Sequence, residues 1–167
     1  MKTLLALPLL SLLSLLAACG PEARGPAFPI ELYVTAGLLD DISGFQLSLV
    51  TKGTTLDCVA VQKRCIKDQV EATRFVKLKD AAGKDVQAVT FPISLVNGSP
   101  NTQDVSLTDV PVGKDLALIV EAISKDSTPR LAGSSCNYIK ELTAGNNAAV
   151  PARIEVLNPR AGCDPRH

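Results

Sequence analysis

Apolar and polar residues alternate with a period of two in several separate segments of this chain, and this pattern constrains the fold more than any other feature. Successive side chains of a β-strand point to opposite faces, so such alternation is typical of strands that bury one face. Turn-forming residues separate the segments, and no long segment carries a helical apolar stripe. The apolar positions of the predicted strands are Ile30, Leu32, Val34 and Ala36; Phe45, Leu47 and Leu49; Val76 and Leu78; Val89, Phe91, Ile93 and Leu95; Val105 and Leu107; residues 116–123; and Val150, Ala152, Ile154 and Val156.

The predicted strands differ in where they lie within a sheet. Residues 116–123 are apolar on both faces except at Glu121, which is typical of a central strand. Pro92 cannot donate to a sheet ladder, so its strand is predicted at an edge. Together the segments indicate an all-β chain that folds as an antiparallel β-sandwich. Because the alternation begins after Pro29, we predict a single domain over residues 30–167.

The first 18 residues differ from the rest of the chain. Lys2 is followed by an apolar run over residues 4–18, interrupted only by Pro8, Ser11 and Ser14. This run is shorter than the ~20 residues that a membrane-spanning helix needs. A positive start, a short apolar stretch and small residues at its end are typical of an export signal that is removed. We therefore predict a cleaved signal peptide over residues 1–18.

Cys19 directly follows the predicted signal peptide, and residues 16–19, LAAC, resemble the lipobox of bacterial lipoproteins. The resemblance implies that the Cys19 thiol carries a diacylglyceryl group, that the leader is cut before Cys19, and that the new amino group is acylated, for example with palmitate. Two or three acyl chains anchor a protein firmly, whereas one anchors it weakly. In this family, Asp directly after the cysteine favours retention in the inner membrane. Gly20 occupies that position here, so the resemblance implies the outer membrane. Residues 19–29 are then the lipidated cysteine and a flexible tether.

The remaining four cysteines are predicted to form disulfides. Assigning Cys19 to lipid leaves Cys58, Cys65, Cys136 and Cys163, an even number. Export places them in an oxidising compartment, where disulfides persist. Four cysteines allow three pairings. We predict the pairs Cys58–Cys65 and Cys136–Cys163, because each joins cysteines that are nearest in sequence.

The sequence does not indicate a cofactor, a metal or a nucleic-acid partner. Zinc sites combine closely spaced cysteines with histidines, but these spacings are wide and the only histidine is His167. No phosphate-binding or dinucleotide-binding loop is found. Removal of Lys2 leaves 16 basic against 17 acidic residues, a balance too even to attract nucleic acid. A histidine-based enzyme is not expected either, because general acid–base catalysis needs a positioned group.

A second resemblance concerns the fold of residues 104–157. The segments VSLTDVPVGKDLALIVEA, LAGSSCN and AGNNAAVPARIEVL are similar to the ending of prealbumin-like and other immunoglobulin-like β-sandwich modules. Such modules are common in bacterial surface and periplasmic proteins. The resemblance implies a β-sandwich and no particular activity.

Three functions are compatible with these features. The first is a non-enzymatic, lipid-anchored envelope protein that binds another envelope protein, with strand addition at a sheet edge as one mode. The second is a ligand-binding or protease-inhibitor-like module that presents Lys63 and Arg64 on a loop closed by Cys58 and Cys65. The third, which ranks far below, is a hydrolase with a carboxylate site. Asp40-Asp41 is an exposed loop pair that could alternatively bind calcium.

Overall fold

The structure, a computed structural model, describes residues 27–94 and 102–167. The predicted signal peptide, Cys19 and the tether up to residue 26 therefore lie outside the described residues, as does Leu95. Within the two described ranges, none of the helices combines the length and the apolar character that crossing a membrane requires.

Strands dominate the described chain, as the alternating pattern predicts. They are β1 (Phe28–Tyr33), β2 (Ile42–Thr51), β3 (Leu78–Lys79), β4 (Asp85–Val86), β5 (Ala88–Pro92), β6 (Thr102–Leu107), β7 (Gly113–Ser124), β8 (Leu131–Leu142), β9 (Val150–Arg153) and β10 (Glu155–Ala161). Two short α-helices accompany them, α1 (Ala36–Leu39) and α2 (Cys58–Val61).

The strands form two main sheets. The larger has five antiparallel strands in the order β10–β8–β7–β2–β5, and the smaller has three in the order β6–β1–β9. In the smaller sheet β1 pairs antiparallel with β6 but parallel with β9. A short ladder joins β3 to β4. The central position of β7 and the edge position of β5, which contains Pro92, are confirmed.

A hydrophobic core fills the space between these two sheets. Alternate residues of β1 and β2 are fully buried in it, including Ile30, Leu32, Leu47 and Leu49, and Leu118 of β7 meets them from the middle of the larger sheet. Burying one such side chain contributes roughly 1.5–3 kcal/mol. The period of two therefore identifies the residues that hold the sheets together.

Several strand boundaries differ from the prediction. The predicted strand over residues 150–156 is divided at Ile154 into β9 and β10, which belong to different sheets, and the strand of Val89 and Phe91 ends at Pro92, before Ile93.

β1 begins at Phe28, two residues earlier than predicted, because Phe28 is buried and pairs with Leu107. Ala36 is not a strand residue but the first residue of α1, where it is exposed. The predicted strand around Val76 shrinks to the two residues of β3, because the Val76 amide instead bonds the Leu49 carbonyl of β2 at 2.8 Å.

Residues 53–75 form a layer that the alternating pattern does not predict, and we call it the helical cap. It contains α2 and short 3₁₀ turns, and it covers the face of the larger sheet that points away from the smaller one. The Asp57 carboxylate accepts from the amides of Val59 and Ala60 at 3.0 and 3.3 Å, which begins α2. A second core beneath the cap is formed by Val50, Val61, Ile66, Val70, Phe75, Ala117 and Ile119.

Two disulfides join the cap to the rest of the molecule, in a pairing that differs from the predicted one. Cys58 is bonded to Cys136 of β8, and Cys65 is bonded to Cys163 after β10, with Cα–Cα distances of 5.5 and 6.0 Å. The predicted pairs Cys58–Cys65 and Cys136–Cys163 are therefore wrong. The physical reason is that the cap lies flat on the sheet, so each of its cysteines meets a partner 78 or 98 residues away rather than its neighbour.

Candidate functional site

The predicted contact residues Lys63 and Arg64 lie on the surface of the helical cap. Both are exposed, and together with Asp68 and residues 161–163 they line an open cavity of about 530 Å³. The stretch that carries them is not a ring closed by its own disulfide, since Cys58 and Cys65 are each bonded elsewhere. The inhibitor-loop hypothesis assumes a loop closed by a Cys58–Cys65 disulfide, and that assumption is wrong. Each end of the stretch is instead joined by a disulfide to another part of the fold.

Asp40 and Asp41 follow α1, and each of them contacts a different basic side chain. The Asp40 carbonyl accepts from Lys125 Nζ at 3.0 Å, and Asp41 Oδ2 pairs with Arg160 at 2.8 Å. An arginine that neutralises a carboxylate competes with a cation for it. Arg160 also binds Asp126, so this pair belongs to an ion-pair cluster at one end of the sheets.

Asp126 is the centre of that cluster. Its carboxylate accepts from Arg130, Arg160 and the Ser124 hydroxyl. The hydrogen bond from Arg130, followed by those from Arg160 and Ser124, lowers the pKa of Asp126 to about 2. The cluster therefore stays ionised at all ordinary pH values and ties β10 to the β7–β8 turn.

One group of metal-ligand types lies close together among the described residues. Cys65, Asp68 and Cys163 offer atoms within 4.8 Å of one another. Both sulfurs are bonded in a disulfide, so neither is a thiolate that could ligate a metal. The group is thus accounted for by the disulfide.

Among the described carboxyl groups, Glu121 has the pKa that is shifted furthest from its ordinary value. Glu121 is identified from the sequence only as the polar exception in the apolar strand β7. It is 1% exposed and lies beneath the helical cap. Its Oε1 accepts from the Ile66 amide at 2.8 Å, and its Oε2 accepts from Gln46 Nε2 at 3.2 Å. Burial raises the pKa of Glu121 to about 7, although the two hydrogen bonds oppose that shift.

Gln46 connects Glu121 to the last residues of the chain. Besides Glu121, its Nε2 donates to the Pro165 carbonyl at 2.7 Å, and its Oε1 accepts from the His167 amide at 3.3 Å. The His167 ring packs edge-on against Phe75 of the cap, with ring centroids 5.0 Å apart. We call residues 164–167 the C-terminal tail.

An open groove separates β8 from β9, and it offers a different kind of site. The groove has a volume of about 510 Å³. Its apolar lining includes Phe28, Ile139 and Leu142, and Tyr138 stands at its side with about half of its surface exposed. Asn147 adds a polar group at the rim. We call this feature the β8–β9 groove.

The groove exists because β8 is longer than the strand beside it. β10 pairs with β8 only between Leu131 and Ser134, and the described chain pairs the remainder of β8 through β7 alone. The Ile154 amide donates to the Tyr33 carbonyl of β1. Because the hydrogen-bonding groups of successive residues point to opposite sides of a strand, those of Ala152 and Val150 also face β1. Pro151 therefore faces the groove, where it has no N–H to offer. The open backbone on this side belongs to β8.

Sequence reasoning could not have assembled this groove, because it depends on where two strands of different sheets separate. The exposed Tyr138 and the proline in β9 are its only signals along the chain. In comparisons with known proteins, no family model, no curated protein and no solved structure matches this chain.

Proposed function

We propose that this chain is a lipoprotein of the bacterial cell envelope, anchored in the outer membrane through Cys19, whose folded domain binds another envelope protein without catalysing a reaction. The observation that carries the proposal is the use of the cysteines. Four of the five are joined in two disulfides, which suits an exported protein, and the fifth is the one that ends the leader. A lipid on Cys19 accounts for the odd thiol.

The finer fold assignment is part of this proposal. We interpret the domain as a β-sandwich of the immunoglobulin-like or prealbumin-like kind. Two packed sheets that share one core support this interpretation, as does the chain crossing from β9 in one sheet to β10 in the other within two residues. The helical cap on the outer face is an addition to that plan.

The anchor also sets which end of the domain is near the membrane. The Ala27 carbonyl accepts from Asn147 Nδ2 at 3.3 Å, so the chain joins the domain beside the loop between β8 and β9. A tether from Cys19 to Ala27 spans at most ~30 Å. The end that carries this loop therefore faces the membrane, and the Arg160 ion-pair cluster, at the β7–β8 turn, points away from it.

The β8–β9 groove is the binding site that we propose. An extended segment of a partner can add to the open backbone of β8 and place apolar side chains on the accessible lining residues Ala148, Ala149 and Val150. Tyr138 would contribute a large contact area from the side, as aromatic residues do at interfaces. Because Pro151 has no N–H to donate on the groove side of β9, the partner strand pairs with β8 rather than with β9.

Photo-crosslinking in intact cells tests this site. A photoreactive phenylalanine analogue replaces Tyr138 in one variant and Val59, an exposed residue of the cap, in the control. We expect a discrete crosslinked envelope protein from position 138 and none from position 59, with the crosslink mapped to an extended, alternately apolar segment of the partner. The absence of any crosslink at position 138, or equal crosslinks from both positions, would contradict the proposed site.

A further inference from the structure

We propose that Gln46 and Glu121 form a proton-operated latch, which holds the C-terminal tail on the larger sheet and releases it when Glu121 takes up a proton. The latch lies beneath the helical cap, away from the β8–β9 groove, and it does not depend on the lipid anchor. Its parts come from four places in the chain: β2, β7, the cap and the tail.

With Glu121 ionised, donors and acceptors match throughout. The two carboxylate oxygens receive one N–H each, from the Ile66 amide and from Gln46 Nε2. The second hydrogen of Gln46 Nε2 goes to the Pro165 carbonyl, and Gln46 Oε1 receives the His167 amide. A glutamine amide has two donor hydrogens and one acceptor oxygen, and all are used here.

A proton on Glu121 breaks this match. Its carboxyl would then carry an O–H, yet both groups that face its oxygens, the Ile66 amide and Gln46 Nε2, are themselves donors. Gln46 can present an acceptor by a half-turn of its amide. The same half-turn places Gln46 Oε1 next to the Pro165 carbonyl, so two acceptors face each other. It also places Gln46 Nε2 next to the His167 amide, so two donors face each other. Both hydrogen bonds to the tail are therefore lost. Unmatched polar groups in a buried site are unfavourable. Residues 164–167 lie beyond the Cys65–Cys163 disulfide and belong to none of the described strands, so they are the part of the network that can leave.

The disulfide limits what moves. Cys163 is bonded to Cys65, whose amide also donates to Cys163 Sγ, so the chain is fixed up to that residue. Beyond it, the tail is held by the two Gln46 bonds, by Lys67 Nζ on the Arg166 carbonyl, and by the His167 ring, which packs on Phe75 and places Nδ1 3.4 Å from Gln87 Oε1. Loss of the Gln46 bonds removes two of these attachments and uncovers Gln46 and Phe75.

The charged groups around Glu121 do not obscure its titration. The cap contributes Lys67, which favours the ionised carboxyl, and Asp68, which disfavours it. The tail contributes Asp164 and Arg166, which pair with each other, and His167, whose pKa is lowered by burial. β2 and β8 contribute only the neutral Gln46 and Ser134 at this face. Glu121, with a pKa near 7, therefore titrates before His167 as the pH falls.

The chain has no tryptophan, so an indole at the tail is a clean reporter. The variant His167→Trp of the full chain keeps an aromatic ring against Phe75. We expect its emission to shift to longer wavelength as the pH falls through about 7, because the tail leaves its buried contact. Adding Glu121→Gln, which mimics the neutral carboxyl, should give the red-shifted emission at every pH, whereas adding Glu155→Gln at an exposed glutamate should leave the transition unchanged.

An emission that does not change with pH, or a transition that survives Glu121→Gln, overturns the latch. A measurement on the unaltered chain covers the case in which that substitution prevents folding. By NMR, the side-chain carboxyl carbon of Glu121 and the backbone amide of His167 should titrate with one shared midpoint. A Glu121 titration that leaves the His167 amide unmoved also overturns the proposal.

Discussion

At the scale of single residues, Glu121 shows how one buried carboxyl can make folding depend on pH. The strand that carries it is otherwise apolar, and its side chain is removed from water by the helical cap. A carboxylate in such a place loses most of its hydration, and two N–H donors only partly replace it. The result is a group that resists ionisation within the folded protein but not within the unfolded chain.

The stability of the protein should therefore fall as the pH rises between about 4.5 and 7. In that range the unfolded chain has lost the Glu121 proton while the folded chain keeps it, so rising pH favours unfolding. The shift corresponds to about 3 kcal/mol of unfolding free energy. Urea denaturation at pH 5 and pH 8 should show this loss in the unaltered chain and little of it in Glu121→Gln. An equal pH dependence in both chains would show that Glu121 does not cause it.

Only part of the site around Glu121 could be predicted from the sequence. Glu121 is visible as the polar exception in a central strand. Its partners are not visible, because Gln46 and Ile66 lie 75 and 55 residues away, and Pro165 is 119 residues from Gln46. A period of two says which face a side chain occupies, but it does not say what is packed on that face.

At the scale of elements, most strands were predictable from alternation, whereas β8 and the helical cap were not. A strand that buries one face alternates, as β1 does, and a central strand such as β7 is apolar on both faces, so both left a clear pattern. The parallel pairing of β1 with β9 is not encoded locally, since alternation is the same for either direction. The cap consists of helical turns of three or four residues, which are too short to show a helical period. Its apolar residues therefore show no period from which a packed layer could be predicted.

The disulfide pairing was also beyond the sequence, because it depends on the cap. Nearest-neighbour pairing assumes that each cysteine stays close to its neighbour in space. The cap instead turns Cys58 toward β8 and Cys65 toward the segment after β10. Both bridges consequently close long loops, and a long closed loop restricts the unfolded chain more than a short one.

Removing either bridge should destabilise the protein strongly. For loops of this length, chain entropy gives about 4–5 kcal/mol for each bridge. We expect the paired variants Cys58→Ala/Cys136→Ala and Cys65→Ala/Cys163→Ala to lose stability in denaturant titrations, and only the second to loosen the C-terminal tail at neutral pH. Mass spectrometry of unreduced peptides is the accompanying control. A peptide that links Cys58 to Cys65 would contradict the structure on which this expectation rests.

At the scale of the whole molecule, the features divide between the two ends and the outer face. Ala27 lies beside the β8–β9 groove, the ion-pair cluster around Asp126 closes the opposite end, and the cap covers one face of the larger sheet. In the proposed orientation, a partner that reaches the groove approaches along the membrane. The pH-dependent tail lies apart from that contact.

The proposed orientation, the proposed oxidising compartment and the proposed envelope partner all depend on the fate of Cys19. The most direct test is the mass of the mature protein isolated from membranes, together with fractionation of the variant Cys19→Ser and of the control Ser11→Ala within the leader. We expect a mature chain that begins at an acylated Cys19, remains with the outer membrane in the control and leaves the membrane in Cys19→Ser. A mature chain with an unmodified Cys19, or membrane retention of Cys19→Ser, would contradict the account.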